Sequence, residues 1–477
     1  MGRDRGRRPQ LKSLDPDSLA AQAELRAELA RLDRAALLAL LDRLATESSA
    51  VAERLRYLAD PAHAKTDLAA RIRRLRASKR FVPYRESGAL AREVETLVED
   101  LERDLLPRAP EDALALAEKL LALDGALIER CDDSGGAVGS VLRDAARLWV
   151  SAAAAVRALE PPPTSDWVVR LRSLYADDGY GVREPLLAEA RRLLSETELR
   201  TLASAFELDA RRALARAGEP GESAVGHYGP CSAIGLIAET LNDPLLYERS
   251  IRLYSPQPNE LQAARIAQRY AAAGDAAGAR RWLAGPWPIA REAERLRLLD
   301  AVHALEGDRA SQITVRRKLF ELEPGRARYR ALQELLEPDA AAAFEAEVRR
   351  AAPGYADPVA GARLLFTLGA VAEADAMLRR RASDLDGRDY GRLPELAEEA
   401  LQHGAVTAAV VIWRALLTSL LERAESRAYG HGARYLEQLR ALAAAPKAMQ
   451  LVPTHEAWEA ELRRAHGRKT AFWSRLP

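Results

Sequence analysis

Residues 274–283 read Gly-Asp-Ala-Ala-Gly-Ala-Arg-Arg-Trp-Leu, and they contain a spacing that recurs later in the chain. A Gly is followed five residues later by an Ala and nine residues later by a bulky apolar residue. The three sets are Gly274, Ala279, Leu283; Gly369, Ala374, Leu378; and Gly404, Ala409, Trp413. Such a Gly can end one helix with a positive φ, the Ala lets the next helix approach closely, and the bulky residue fills the space between them. The spacing therefore predicts helical hairpins.

The hairpins repeat with a regular period. Gly369 and Gly404 are 35 residues apart, and Gly307 follows Gly274 by 33 residues. This period is typical of tetratricopeptide-like units. Apolar residues follow helical steps of three and four through most of the chain, and alternating runs of β-branched and aromatic residues are missing. The sequence predicts an all-α protein, an α-solenoid of stacked helical hairpins that is tetratricopeptide-like in its C-terminal half.

Composition divides the chain into four parts. Residues 1–12 predict a basic flexible tail, and residues 13–217 predict an irregular helical-hairpin region. Residues 218–230 contain four glycines and two prolines and predict a linker. Residues 231–477 predict the repeat region with a C-terminal cap. Within the first region, apolar periodicity predicts helices over residues 16–31, 33–47, 65–79, 86–106, 111–131, 138–158, 166–176, 183–194 and 196–216.

Charge and composition exclude several classes of protein. The 71 basic and 70 acidic residues give a net charge of +1, so no global field attracts nucleic acid or anionic lipid. No apolar run is long enough for a membrane span, and no secretion signal follows the basic N-terminus, so we expect a cytoplasmic protein without membrane contact. Two cysteines exclude a disulfide scaffold and a four-cysteine metal site.

Residues 71–85 form a first candidate site because they combine basic and aromatic side chains without an acidic one. Cations neutralise phosphates and rings stack on bases, so this segment is a candidate nucleic-acid contact. Residues 86–104 carry seven acidic residues that could instead pair with the same cations, and both interpretations stay open. The basic residues are Arg71, Arg73, Arg74, Arg76, Lys79, Arg80 and Arg85.

Residues 427–436, with the C-terminal tail, form a second candidate site. Arg, Tyr and His side chains together can hold a phosphate or a carboxylate through charge-assisted hydrogen bonds. The candidate binding residues are Arg427, Tyr429, His431, Arg434 and Tyr435. A competing interpretation is structural: Tyr435, Phe472 and Trp473 could seal the apolar end of the repeats. The sequence alone does not choose between a ligand site and a cap.

The sequence offers no catalytic residue, cofactor site or metal site. The zinc motif His-Glu-x-x-His and the nucleophile motif Gly-x-Ser-x-Gly are absent. His227 and Cys231 lack a second pair of zinc ligands nearby. Residues 132–139, rich in Asp and Gly, predict a turn whose Asp or Ser side chains cap the helix beginning near Val138. We expect a protein that is not an enzyme.

Four stretches carry a resemblance to a known family: residues 81–86, 132–139, 427–436 and 466–473. They resemble a bacterial family of unknown function, over nearly the whole chain from about residue 12. The N-terminal half is also similar to the helical region of some SWIM zinc-finger proteins, which implies a setting with nucleic acid or a protein complex. The Cys and His cluster of such a finger is missing, so the resemblance implies no zinc site.

The functional expectation follows from the repeats. Stacked hairpins form extended grooves, so we expect a non-catalytic scaffold that binds a protein or peptide in the concave face of its C-terminal repeats. Two alternatives come from the candidate sites: a nucleic-acid-associated protein using residues 71–85, and a phosphate or small-molecule sensor using residues 427–434.

Overall fold

A computed structural model describes residues 26–161, 164–216, 226–446 and 448–476. The chain divides into two compact units, Met1–Gln257 and Pro258–Pro477. The described residues of both units are helical and contain no β-strand, apart from one isolated bridge between Val82 and Cys131. The all-α prediction is therefore confirmed. The predicted tail and residues 218–225 of the predicted linker lie outside the described residues, and a helix begins at Tyr228 within that linker.

The helices of the first unit begin where the sequence provides caps. Asp33, Ser48 and Asp60 each accept hydrogen bonds from backbone amides in the first turn of the helix that follows. The helices are α1 Arg34–Glu47, α2 Ser49–Ala59, α3 Pro61–Ala77, α4 Tyr84–Asp100, α5 Pro110–Leu121, α6 Asp124–Glu129, α7 Ala137–Arg157, α8 Trp167–Ala176, α9 Glu184–Ala188, α10 Glu196–Arg216, α11 Tyr228–Leu241 and α12 Pro244–Tyr254.

Helix α7 lies at the centre of the first unit. It packs against α4, α5 and α9, and Trp149 in its middle is fully buried. Ala145 and Ala146 on the same helix also have no exposed surface, which allows the neighbouring helices to approach closely. Helix α7 is apolar around most of its circumference, and such a helix is stable only when neighbouring helices bury it.

Several predicted helices of the first unit differ in extent from the observed ones. The helix predicted over 111–131 is interrupted between Leu121 and Asp124, and α2 was not predicted. The helix predicted over 86–106 begins earlier, at Tyr84, and ends in a π-helical turn, Leu101–Leu105. Apolar spacing identifies which segments are helical, whereas the interruptions depend on tertiary packing that the spacing does not contain.

The second unit consists of helices that pack mainly on their neighbours along the chain. They are α13 Glu260–Ala272, α14 Ala276–Leu283, α15 Ile289–Glu306, α16 Arg309–Leu322, α17 Arg326–Gln333, α18 Pro338–Ala351, α19 Pro358–Thr367, α20 Val371–Arg380, α21 Leu393–Gln402, α22 Val406–Glu422, α23 Tyr429–Ala443, α24 His455–His466 and α25 Thr470–Trp473. Helix α13 packs on α14, α15 on α16, α19 on α20, and α21 on α22.

The glycines of the repeated spacing end helices in the way the sequence predicts. Their φ angles are +80° at Gly274, +68° at Gly307, +67° at Gly369 and +74° at Gly404. After each glycine, the next amide donates to the carbonyl five residues earlier; the distance from Asp275 N to the acceptor oxygen is 2.9 Å. This hydrogen bond satisfies a carbonyl that would otherwise be left free at the helix end.

The alanines and bulky residues of the spacing occupy the predicted core of the hairpins. All six side chains are buried: Ala279, Leu283, Ala374, Leu378, Ala409 and Trp413. After Gly307 the equivalent of the Ala is Gln312, which is also buried. The hairpin prediction is confirmed for the three sets, and the arrangement is consistent with an α-solenoid. The closer assignment to tetratricopeptide-like repeats stays a prediction.

Candidate functional site

A groove of about 620 Å³ lies in the second unit between α21, α22 and α23. Helix α22 packs against both α21 and α23, so these two helices form the walls and α22 contributes to the floor. We call this the aromatic groove, and its lining residues are Tyr390, Pro394, Glu398, Leu401, Trp413, Leu420, Ala428, His431, Arg434, Tyr435 and Gln438. It contains three of the five residues predicted at the second candidate site.

The floor of the aromatic groove is apolar. The Trp413 ring stacks on the Tyr435 ring with centroids 4.9 Å apart and planes 27° apart. Leu401 and Leu420 line the groove beside them. Burial raises the pKa of the Tyr435 phenol, and the positive charge of Arg434 opposes that rise in part. The floor therefore offers a rigid aromatic surface with a neutral hydroxyl.

The rim of the aromatic groove is polar and exposed. Arg434 Nη2 donates to His431 Nδ1 across 3.1 Å, one helical turn apart on α23. Because Nδ1 is an acceptor in this contact, the Nε2–H of His431 is left as a donor. Glu398 lies on the α21 wall, and Arg423 donates to the hydroxyl of Tyr390 while its guanidinium lies 5.5 Å from that ring. The rim thus presents two cationic or donor groups on one wall and a carboxylate on the other.

The structure separates the second candidate site into two sets. His431, Arg434 and Tyr435 line the aromatic groove, whereas Tyr429 is buried against Phe472 with ring centroids 5.6 Å apart. Arg427 is exposed in a 3₁₀ turn before α23 and does not line the groove. Whether the three groove residues bind a ligand stays a prediction.

The C-terminal tail forms a structural closure beside α23. Phe472 is fully buried and lies 4.9 Å from the Trp473 ring. Trp473 Nε1 donates to the His466 carbonyl at 2.9 Å, and the Arg463 guanidinium lies 4.4 Å from the Trp473 ring. Tyr429 and the tail thus pack together on one side of α23, and the opposite side of that helix faces the groove.

The basic segment of the first unit is paired in part. Arg71 forms an ion pair with Asp100 at 2.5 Å, and Arg80 pairs with Glu86 at 2.6 Å. Both acids belong to residues 86–104, which the sequence analysis identified as possible partners of the basic residues. The remaining members are exposed cations: Arg73, Arg74, Arg76, Lys79 and Arg85. The aromatics are also accessible, with 59% of Phe81 and 58% of Tyr84 exposed.

The Asp- and Gly-rich turn caps a helix, as predicted. The two carboxylate oxygens of Asp133 accept from the amides of Val138 at 2.9 Å and Gly139 at 2.8 Å, in the first turn of α7. Asp178 plays the same part before α9, accepting from the amides of Val182 and Arg183. The carboxylates of Asp133 and Asp178 therefore accept hydrogen bonds from backbone amides that would otherwise lack a partner.

Two further features of the described residues concern metals and membranes. In residues 26–161, 164–216, 226–446 and 448–476, no three His, Cys, Asp or Glu side chains gather in a way that could hold a metal ion. Cys131 and Cys231 are buried and unbridged, and burial raises the pKa of the Cys231 thiol to about 11. Over the same ranges, none of the helices combines the length and apolar character that crossing a membrane requires.

Sequence reasoning missed the α21 wall of the aromatic groove. Pro394, Glu398 and Leu401 are spaced by four and three residues, which places them on one face of a helix. That spacing was available, but it carries no information about which neighbouring helix the face would meet. Tyr390 comes from the loop before α21, where no periodicity exists to place it.

No curated protein and no solved structure matches the sequence. The similarity of the N-terminal half to SWIM zinc-finger proteins stays a prediction. The sequence does match a family of unknown function, DUF6880, over residues 20–233 and 250–475. Since these ranges cover most of both units, the chain belongs to this family.

Proposed function

We propose that the protein is a non-catalytic helical scaffold whose aromatic groove binds a short segment of a protein or peptide partner. The observation that carries the proposal is the stacked Trp413–Tyr435 pair, which forms the floor of a groove bordered by exposed polar side chains of two flanking helices. A cytoplasmic setting in a bacterial cell, as expected from the sequence, belongs to the same proposal.

The chemistry of the groove supports protein recognition. An apolar centre surrounded by a polar rim is the usual anatomy of a protein interface, and Trp, Tyr and Arg are the residues most enriched where binding energy concentrates. Hairpin repeats commonly bind extended partners on the surface formed by alternate helices, here α21 and α23.

The rim favours a particular class of partner. His431 and Arg434 on α23 offer donors to a carboxylate, while Glu398 on α21 repels an acidic group placed on its own side. A peptide with an aromatic or aliphatic anchor over Trp413 and an acidic residue toward α23 would satisfy both walls. The phosphate or small-molecule alternative uses the same pair of donors, and a groove of about 620 Å³ is within the size of small-molecule sites.

Selection from a random peptide library displayed on phage tests the proposal. Recovered peptides should carry an apolar anchor and an acidic residue, and Arg434→Gln should weaken their binding about tenfold because a charge-assisted hydrogen bond is lost. Arg427→Gln is the matched control, since Arg427 is an exposed arginine near the same helix that does not line the groove.

Fluorescence anisotropy with labelled peptides gives the affinities. Equal loss of affinity in both variants would show that general surface charge, rather than the groove, holds the peptide. If selection yields no peptide, and phosphate or a small phosphorylated molecule binds with the same dependence on Arg434, the sensor alternative replaces the scaffold.

A further inference from the structure

A cavity of about 500 Å³ in the first unit is lined by basic side chains from two helices. Helix α3 contributes Lys65, Arg73 and Arg76, and α5 contributes Lys119. We call it the basic cavity. The residues below these cations are mostly small or apolar, including Ala69, Ala122 and the buried Ile72 and Leu123.

The spacing along α3 places its cations on one side of the helix. Ala69, Arg73 and Arg76 follow steps of four and three, so all three face the same neighbour. Lys119 reaches the cavity from α5, which packs against α3. The convergence of cations therefore arises from the packing of two helices, and the sequence of residues 71–85 alone does not reveal it.

The lining of the basic cavity differs in charge from that of the aromatic groove. Its lining includes no carboxylate, whereas the aromatic groove includes Glu398. Lys65 pairs with Asp112 at 2.7 Å. Across the described residues, no ion pair or hydrogen bond is formed by the side chains of Arg73, Arg76 or Lys119, although Arg71 on the same helix pairs with Asp100.

The helix dipole accounts for the positions of some of these cations but not of all. Arg76 and Lys119 lie in the last turns of their helices, where a positive charge interacts favourably with the helix dipole. Arg73 lies outside the last turn, and its charge is one turn from that of Arg76, so the two repel each other. An anion between the helices would remove this repulsion and satisfy donors from both.

We propose that the basic cavity binds a phosphate group of a phosphorylated ligand. Arginine presents a planar fork of donors that matches phosphate oxygens, and lysine adds a compact charge on the facing helix. A cavity with low-dielectric walls and charge of one sign concentrates anions. The phosphate could belong to a free nucleotide or to the backbone of a nucleic-acid strand, since both present the same group. This proposal concerns the first unit and does not depend on the aromatic groove.

The test compares two double variants of the full chain that remove equal charge. Arg73→Gln with Arg76→Gln removes two cations of the cavity, and Arg74→Gln with Arg85→Gln removes two exposed cations of the same segment outside it. All four side chains are exposed, so glutamine should preserve the fold, which circular dichroism can verify. The probes are inorganic pyrophosphate, ATP and a fluorescein-labelled oligothymidylate, titrated at low and physiological salt.

We expect at least one probe to bind and its affinity to fall about tenfold in the cavity variant but only slightly in the control. Lys119→Gln should also weaken binding, because the second helix contributes a donor. Binding of ATP without the oligonucleotide identifies a free phosphorylated molecule, and the reverse identifies a nucleic-acid strand. The proposal is overturned if no probe binds, if both double variants lose equal affinity, or if Lys119→Gln has no effect.

Discussion

Replacing Arg183 with Met should destabilise the first unit, because this side chain forms a buried ion pair that ties three segments together. Only 5% of Arg183 and 6% of Asp124 is exposed. The guanidinium Nε and Nη2 donate to the two Asp124 oxygens at 2.6 and 3.0 Å. Its Nη1 donates to the Leu174 carbonyl at 2.7 Å. Arg183 therefore joins the approach to α9 with α6 and α8.

The loss of stability in Arg183→Met depends on how Asp124 is left without its partner. Met retains much of the apolar stem of Arg183 and removes its charge. Asp124 then keeps one local hydrogen bond, from the Gly125 amide at 2.6 Å, and remains buried without a cation. Breaking one side of a buried pair costs about 3–5 kcal/mol, whereas replacing both partners with apolar residues is often close to neutral. Asp124→Leu combined with Arg183→Met should therefore recover most of the loss.

Hydrogen–deuterium exchange read by mass spectrometry suits this test, because the two units need not unfold together and a single global transition would mix them. Peptides spanning residues 110–130 and 170–190 report the free energy of opening around the pair. Urea unfolding followed by circular dichroism supplies the global value. In the single variant, exchange in these peptides should rise by about two to four orders of magnitude.

Arg147→Met is the matched control. Arg147 forms ion pairs with Asp144 at 2.5 Å and Glu189 at 3.1 Å, but its side chain is 47% exposed. An exposed pair contributes about 0–1 kcal/mol, so this variant should change little. The reasoning fails if Arg183→Met and Arg147→Met have equal effects, or if the Asp124→Leu, Arg183→Met double variant loses as much stability as the two single losses added together.

Two further predictions concern backbone strain and pH. Gly307→Ala should lower the free energy of unfolding of the second unit by about 1 kcal/mol, because φ is +68° there while no atom obstructs the added Cβ. Gly354→Ala, equally unobstructed and without a positive φ, should be neutral or stabilising in the same urea titration. Burial raises the pKa of the Tyr175 phenol from 10.0 to about 12, so the unfolded chain loses this proton first and the free energy of unfolding should fall as pH rises through that interval. Tyr175→Phe should reduce the fall, and an unchanged alkaline profile would exclude Tyr175 as its source.

The turns of the second unit could be predicted because their physics is local. Gly274 and Gly404 end helices with positive φ, and a glycine is the residue that adopts this conformation at little cost. Asn242 and Ala424 adopt similar conformations, with φ of 54° and 55°. Asn tolerates this conformation moderately well, so the sequence carries a weak signal for the helix end at Asn242. Ala424 carries no such signal, so packing of the adjoining helices must hold it there.

The aromatic groove could be predicted only on one wall. His431, Arg434 and Tyr435 lie within one turn of a single helix, so their proximity follows from sequence spacing. Tyr390 and Glu398 approach them through the packing of α21 and α23 around α22, which no local pattern specifies. The same limit applies to the basic cavity and to the buried pair in the first unit, because each joins residues that are distant in sequence.

Arginine accounts for 64 of the 71 basic residues, and several arginines have a structural role in this fold. Helices joined by short turns leave unpaired carbonyls at their C-terminal ends. Arginines of neighbouring helices donate to several of them: Arg157 Nη1 to the Leu193 carbonyl at 2.8 Å and Arg295 Nε to the Leu283 carbonyl at 2.8 Å. An arginine in this chain is therefore weak evidence for a ligand site when considered alone.

Arginines that donate to no carboxylate or carbonyl are better candidates for ligand contacts. Where a guanidinium already donates to a carboxylate or to a helix end, binding an anion would require breaking those hydrogen bonds, so the side chain is a poor ligand contact. Arg73 and Arg76 form no such bond within the described residues, and Arg434 contacts only the neutral acceptor nitrogen of His431 there. These three arginines can therefore bind an anion without loss of a structural contact to a carboxylate. The two proposed sites are the places where variants should change ligand affinity while the free energy of unfolding stays the same.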